Sequence, residues 1–115
     1  MKGNYGVIAE GWFNGVFVSS LGKAGVGKDG KLKANACYTL ESALYRALKR
    51  CANQYRFSKD GVDGWIEFPS LPATTQDTMI EEIANIVELE MIEPTLFRTT
   101  FTEATFENAM RKVWG

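Results

Sequence analysis

Residues 39–55, TLESALYRALKRCANQY, decide the architecture of this chain of 115 residues. Apolar side chains recur in this stretch at i, i+3, i+4 and i+7, which is the spacing of one buried stripe on an α-helix. Thr39 is a favourable N-cap residue, and Glu41 lies in the first turn, where a carboxylate interacts favourably with the helix dipole. Strand-like segments flank the stretch, so the pattern predicts a helix that packs across a sheet. The predicted stripe is Leu40, Ala43, Leu44, Ala47, Leu48, Cys51 and Tyr55.

Three predicted strands lead into this helix. The dipeptide Asn14-Gly15 is a strong hairpin signal, and it separates a first strand over residues 5–13 from a second over residues 15–20. Asp29-Gly30 is a second hairpin signal. It precedes residues 31–38, where polar and apolar residues alternate as they do in a half-buried strand.

The chain beyond the central helix continues to mix strands and helices. Short strands are predicted over residues 56–58 and 65–68. A second helix is predicted over residues 78–91, because Thr78 and Glu81 fit a capping box and apolar residues follow at helical spacing. A strand over residues 95–101 and a helix from Thr102 complete the chain. The predicted order is βββ-α-β-α-β-α, in one α+β domain over residues 1–115 with a mostly antiparallel sheet.

Composition bounds the kinds of function that this chain performs. Hydrophobic residues make up 45% of the chain and charged residues 23%, which is typical of a globular domain. Histidine is absent, so Ser-His and Cys-His nucleophile pairs and the usual zinc ligand are excluded. We therefore predict a binding protein without catalytic residues, metal or cofactor. The two cysteines, Cys37 and Cys51, are predicted to be small buried thiols.

Hydropathy indicates where the chain resides. No apolar run reaches the roughly 18 residues that a membrane-spanning helix needs. The first residues, MKGNYGVIAEGW, lack the apolar core of a signal peptide. The expected location is therefore cytoplasmic, without a membrane partner.

Charge is distributed unevenly between the two halves of the chain. Residues 1–60 hold ten Lys/Arg against four Asp/Glu, a net charge of +6, and residues 61–115 hold three against ten, a net charge of −7. A basic half is typical of a face that binds nucleic acid. Two solvated faces, or a homodimer that pairs the halves head to tail, would explain the same asymmetry.

Two candidate binding surfaces follow from this charge pattern. Basic side chains on the 22–33 hairpin and on the central helix would contact phosphates, with Trp12, Phe13 and Tyr45 near enough in sequence to stack on bases. Glutamates on the second helix would instead bind a protein. The candidate nucleic-acid-binding residues are Lys23, Lys28, Lys31, Lys33, Arg46, Lys49 and Arg50. The candidate protein-binding residues are Glu82, Glu88 and Glu90.

A glycine-rich segment within the basic half matches a nucleotide-binding pattern only in part. Residues 22–28 read G-x-x-x-x-G-K, the pattern of a phosphate-binding loop. Asp29 follows where Ser or Thr should hold magnesium, and a predicted strand replaces the required helix. The segment is therefore interpreted as a basic hairpin tip.

The predicted element order resembles that of the ribonuclease H-like fold. In that family, metal-binding carboxylates come from the first strand, the first helix, the end of the fourth strand and the last helix. Glu10 and Glu41 occupy the first two places, but residues 66–70 lack the expected Asp. Glu103 and Glu107 on the last helix do not have the family's spacing. The resemblance implies a degenerate metal-dependent nuclease at most, with Glu10 as an edge charge and Glu41 as a dipole partner.

Residues 55–91 resemble a segment of the HicB-type antitoxins. That family shows a strand, an acidic-glycine turn, a strand that ends in F-P-x-L-P-G, and an acidic helix. Ala73 stands here where that family has glycine. The resemblance implies a truncated ribonuclease H-like fold without nuclease activity, and a small toxin as partner. The matching residues are Gly64, Trp65, Phe68, Pro69, Leu71, Pro72, Thr78 and Glu82.

Three functions remain as hypotheses. The first is a small non-enzymatic protein that binds nucleic acid through its basic half or a protein through its acidic half. The alternative is an inhibitor or antitoxin-like protein, encoded by a phage or mobile element, that binds and blocks a host protein. The third is a degenerate metal-dependent nuclease.

Overall fold

The computed structural model describes residues 5–21 and 37–114, and these form an α+β fold with a mixed sheet of four strands. The strand order is β2-β1-β6-β5, and β1 and β6 are parallel while the two outer pairs are antiparallel. The α+β class and the mostly antiparallel sheet are confirmed. In chain order the elements are β1 (Gly6–Phe13), β2 (Val16–Ser19), α1 (Leu40–Ala52), β3 (Arg56–Phe57), β4 (Ile66–Glu67), α2 (Ala73–Ile86), β5 (Glu90–Glu93), β6 (Leu96–Phe101) and α3 (Glu103–Trp114).

A two-residue turn joins β1 to β2, as the sequence predicts. Asn14 and Gly15 have φ angles of 52° and 77°, the left-handed pair that a tight antiparallel hairpin requires. The turn sets the register, which places Phe13 opposite Val16 and Trp12 opposite Phe17.

The strand β1 lies in the centre of the sheet. It pairs with β2 on one side and, over residues 6–11, with β6 on the other. The expectation of Glu10 as an edge charge is therefore wrong, because Glu10 has a neighbouring strand on each side. Gly11 faces Phe101 in this register, and a side chain at position 11 would overlap the Phe101 ring and carbonyl oxygen.

The helix α1 packs against one face of β1, and the predicted stripe is confirmed from Ala43 to Cys51. The helix ends at Ala52, so Tyr55 is buried beyond its end. Thr39 caps the helix, since its hydroxyl oxygen accepts a hydrogen bond from the Ser42 amide at 3.1 Å. Leu48 and Cys51 are fully buried, and the Cys51 thiol donates to the Ala9 carbonyl at 3.3 Å. Both cysteines are buried free thiols, as predicted. Helices α2 and α3 add to the same core through Ile80, Ile83, Phe106 and Ala109.

The second helix differs from its predicted span of 78–91. It begins at Ala73, where the Gln76 backbone amide donates to the Pro72 carbonyl at 3.0 Å and the Gln76 side-chain Nε2 donates to the Leu71 carbonyl at 2.8 Å. Thr78 lies inside the helix, where its hydroxyl donates to the Thr74 carbonyl at 2.8 Å instead of forming a capping box. The helix ends at Ile86, and residues 90–93 pair with β6 as the strand β5.

The strands β3 and β4 form a separate hairpin beside the main sheet. Their pairing joins Arg56 to Glu67 and Phe57 to Ile66. A 3-10 turn over Phe68–Ser70 follows, so the predicted strand over residues 65–68 is shorter than expected. The Phe68 amide donates to the Tyr55 carbonyl at 2.9 Å, and the Phe68 side chain is fully buried.

Most of the predicted third strand, over residues 31–38, lies outside the described residues. Its end is described at Cys37, which forms an antiparallel bridge with Tyr5. The helices of the described ranges include none with the length and apolar character needed to cross a bilayer.

Candidate functional site

The face of the main sheet away from the helices carries two exposed aromatic rings. Val7, Ala9 and Phe13 of β1 face the helices, so the alternating residues Ile8, Glu10 and Trp12 define the opposite, outer face. The Trp12 and Phe17 side chains are 56% and 49% exposed. Their ring centroids lie 5.3 Å apart in an edge-to-face arrangement. The hairpin register holds them side by side, and they form one exposed aromatic pair.

Two carboxylates and one guanidinium lie near the aromatic pair among the described residues. The Arg98 Nε atom of β6 lies 3.7 Å from Glu10 Oε1, and Glu90 of β5 lies opposite Arg98 in the register. Thr100 is exposed beside Glu10. In the described part of the chain, the outer face therefore offers apolar ring surface with one cation between two carboxylates beside it.

The basic face of α1 lies on the other side of the sheet. Arg46 and Arg50 are exposed there. The Lys49 ammonium lies 3.8 Å from Asp77 Oδ1 and 5.8 Å from the Tyr45 ring centroid. Asp77 belongs to α2, so this helix partly neutralises the cationic face of α1.

The three predicted stacking residues are separated from one another. Phe13 is buried in the core, and Trp12 is exposed on the outer face. The Tyr45 hydroxyl donates a hydrogen bond to Asp77, and burial together with this bond raises the pKa of Tyr45 to about 12. The three rings therefore do not form one stacking surface with the α1 cations, because the sheet separates Trp12 from Tyr45 and Phe13 is buried.

Four of the predicted basic residues, Lys23, Lys28, Lys31 and Lys33, lie outside the described residues, as does the glycine-rich segment 22–28. In the chain they follow β2 directly, and Leu21 is the last described residue before them.

The three acidic residues assigned to a protein-binding helix face do not lie on one helix. Glu82 belongs to α2, where its carboxylate pairs with the Lys112 ammonium of α3 at 3.0 Å. Glu88 lies in the connection after α2, and Glu90 belongs to β5. The common helix face is therefore wrong, because strand pairing replaces the last turns of the predicted helix.

The carboxylates suggested by the ribonuclease H-like resemblance are also dispersed. Glu10 lies on the outer face, whereas Glu41 is exposed on α1 on the helix side of the sheet. Within residues 5–21 and 37–114, no three Asp, Glu or Cys side chains lie close enough to hold a metal ion.

The chain was also compared with known proteins. No protein family model, curated protein or solved structure matches it. The function of the sites is therefore argued from their geometry alone.

Two features of the surface were not predicted. Phe17 was overlooked, although the Asn14-Gly15 turn by itself implies that Phe17 lies opposite Trp12. The strand β5 is the second feature, since its first two residues fall within the predicted helix, and all four of its residues are exposed, including Met91 at 62%. The alternation within residues 90–93 is too short to distinguish a strand from the end of an acidic helix.

Proposed function

We propose that this chain is a small non-enzymatic protein that binds single-stranded nucleic acid on the outer face of its sheet. The observation that carries the proposal is the exposed pair of Trp12 and Phe17 on neighbouring strands. Single strands stack their bases on such rings, whatever the base, because every base has a π-face. The two exposed rings form apolar surface that a stacked base would cover.

Phosphate contacts are assigned in this proposal to Lys23, Lys28, Lys31 and Lys33. Their segment follows Phe17 and the rest of β2 directly in the chain. Each neutralised phosphate releases counterions, so binding weakens steeply as the salt concentration rises. The Arg98 guanidinium beside Glu10 adds one cation on the sheet itself.

Fluorescence anisotropy with labelled single-stranded and duplex oligonucleotides tests the proposal at several salt concentrations. Removing a stacked ring costs about 1–3 kcal/mol per base, so the double variant Trp12→Ala/Phe17→Ala should weaken single-strand binding at least tenfold. Tyr38→Ala is the matched control, because Tyr38 is a 78% exposed aromatic residue away from the outer face. Replacing the four lysines by alanine should flatten the dependence of affinity on salt.

A second variant tests the alternative that nucleic acid binds to the cationic face of α1. Arg46→Ala/Arg50→Ala removes exposed cations on the far side of the sheet. If this variant loses binding while Trp12→Ala/Phe17→Ala retains it, the helix face is the site and the sheet-face proposal is wrong. If the wild-type protein binds neither oligonucleotide at low salt, nucleic-acid binding is excluded.

A second candidate function rests on the edge strand β5. Its sequence EMIE combines exposed Met91 and Ile92 with Glu90 and Glu93, and among the described strands it pairs with β6 alone. Such an edge pairs with an added strand of another protein, and the carboxylates select a basic one. This is the arrangement expected of an inhibitor or antitoxin-like protein that blocks a basic partner.

A pull-down from nuclease-treated lysate tests this second function. Met91→Lys should abolish capture of a specific protein, because it places a charge in the contact. Ile86→Lys is the matched control, because it introduces the same charge at an exposed apolar residue at the end of α2. Capture that both variants retain would show that β5 is not the interface.

A further inference from the structure

A polar cleft separates the β3–β4 hairpin from α3, on elements that do not contribute to the outer sheet face. Its volume is about 510 Å³, which is enough for a small ligand. Tyr55 lines its inner end, Glu103, Glu107 and Arg111 line the α3 side, and Trp65 lies on the hairpin side.

The Tyr55 hydroxyl is the most unusual group in this cleft. The Tyr55 ring is held in the core, with its centroid 5.0 Å from that of Phe13 and 5.1 Å from that of Phe106. The residue is only 1% exposed, and its hydroxyl has no hydrogen-bond partner among the described residues. A buried hydroxyl without a partner costs about 1–3 kcal/mol, so a phenylalanine would fit this position better unless the hydroxyl has a use.

Two carboxylates lie beside this hydroxyl. Glu103 and Glu107 are one helical turn apart on α3 and therefore project from the same side of the helix. Burial, and then the charges of Glu107 and Glu103, raise the pKa of the Tyr55 phenol above its ordinary value, whereas Arg111 opposes them. The two carboxylates act on the hydroxyl more strongly than Arg111 does, so a cationic donor is favoured beside it.

The charged side chains that line the cleft are three cations, Arg56, Lys59 and Arg111, and three carboxylates, Asp60, Glu103 and Glu107. The Arg56 guanidinium lies 5.2 Å from the Trp65 ring centroid, on the hairpin side. The Glu103 carboxylate accepts a long hydrogen bond, of 3.4 Å, from the Asn14 backbone amide. An ammonium group has three donors, which suits one hydroxyl oxygen and two carboxylates.

We propose that the cleft binds a small ligand through a primary ammonium group, which donates to the Tyr55 hydroxyl and to the carboxylates of Glu103 and Glu107. Charge-assisted hydrogen bonds of this type are about twice as strong as neutral ones, so the carboxylates carry most of the affinity. The hydroxyl fixes the position of the ammonium group at the inner end. This ligand site is independent of nucleic-acid binding.

Titration calorimetry with 1,4-diaminobutane tests the proposal. The uncharged 1,4-butanediol and the anionic succinate are probes of the same length. We expect saturable binding of the diamine alone. Glu107→Gln should weaken it at least tenfold and Tyr55→Phe about fivefold, while Glu81→Gln, which removes an equal charge on α2, should leave it unchanged.

Three results would overturn this proposal. The first is that the diamine does not bind saturably at millimolar concentration, and the second is that the diol or succinate binds as well as the diamine. The third is that Glu81→Gln weakens diamine binding as much as Glu107→Gln does. A circular dichroism spectrum and melting temperature for each variant establish that it is folded. If Tyr55→Phe is misfolded, the comparison of Glu107→Gln with Glu81→Gln alone decides the outcome.

Discussion

Gly11 shows how a single residue permits the pairing of β1 with β6. Its Cα lies opposite that of Phe101, and no side chain separates it from the Phe101 ring. The ring fills the space that any other residue at position 11 would occupy. Glycine is required here by close approach, and not by an unusual backbone angle.

We predict that Gly11→Ala strongly destabilises the protein. The added methyl group would overlap both the Phe101 ring and the Phe101 carbonyl oxygen, and the backbone atom cannot move without breaking the strand pairing. Overpacking of this kind costs about 1–3 kcal/mol or more. Chemical denaturation measures the change, and Gly15→Asn in the hairpin turn is a comparison site with open space around it. Equal stability of wild type and Gly11→Ala would show that β1 and β6 are not paired in this register.

Leu48 is the residue on α1 that tests the core. It is fully buried among residues of the sheet and the other helices. Leu48→Ala should reduce the free energy of unfolding by about 2–5 kcal/mol, because it removes buried apolar surface and leaves a cavity. Arg50→Ala on the exposed side of the same helix should change stability by less than about 0.5 kcal/mol. An unchanged melting temperature for Leu48→Ala would contradict the position of α1.

At the scale of elements, the start of α1 depends on one side chain. The Thr39 oxygen accepts from the Ser42 amide at 3.1 Å, and the Thr39 hydroxyl donates to the Ser42 hydroxyl at 2.8 Å. This satisfies an amide that has no partner within the helix. Thr39→Ala should therefore cost about 1 kcal/mol, measured by urea unfolding, whereas Thr39→Ser should retain nearly all of the stability. Similar losses in the two variants would assign the effect to the methyl group instead of the cap.

The boundary between α2 and β5 was not predictable from local pattern. Residues 87–91 continue the acidic, helix-favouring composition of α2, and Pro94 is the first residue that stops a helix. The pairing of Met91 with Phe97 outweighs this preference. Strand propensity depends on the neighbouring strand more than on the residue itself, which is why tertiary contacts override it here.

At the scale of the whole molecule, the enclosed core predicts how stability depends on pH. Burial, with a smaller effect of the Glu10 charge, raises the pKa of Cys51 from 9.0 to about 12. The folded protein keeps this thiol protonated, while the unfolded chain loses the proton as the pH rises above 9. The free energy of unfolding should therefore be constant up to about pH 8 and fall between pH 9 and 12, by at most about 1.4 kcal/mol per pH unit for this group.

Urea unfolding between pH 7 and pH 10.5 measures this dependence. Tyr45, whose pKa burial raises from 10.0 to about 12, adds to the fall above pH 10. Cys51→Ala lowers stability at every pH because it leaves a small cavity, but its slope between pH 9 and 10 should be shallower than that of wild type. A slope identical to that of wild type would show that Cys51 is accessible to water.

Local interactions account for what the sequence by itself determined. The Asn14-Gly15 turn, the Thr39 cap and the apolar stripe of α1 each depend on residues within a few positions of one another. The turn, the cap and the stripe can therefore be predicted from residue type and spacing. The same applies to the strand predicted over residues 95–101 and to the helix predicted from Thr102, which correspond to β6 and α3.

Only the tertiary structure decided which surfaces these elements present. The parallel pairing of β1 with β6, which places Gly6 opposite Leu96, brings together residues that are far apart in the sequence, and no local pattern predicts it. That pairing places β1 in the centre of the sheet, with α1 packed on one face of it. Phe13 then faces the helices and Trp12 faces the opposite side, so the sheet separates the aromatic pair from the α1 cations. The Tyr55 cleft likewise exists only because α3 packs beside the β3–β4 hairpin. Such contacts depend on the entropy of closing long loops and on the packing of the whole core, and spacing along the sequence carries neither.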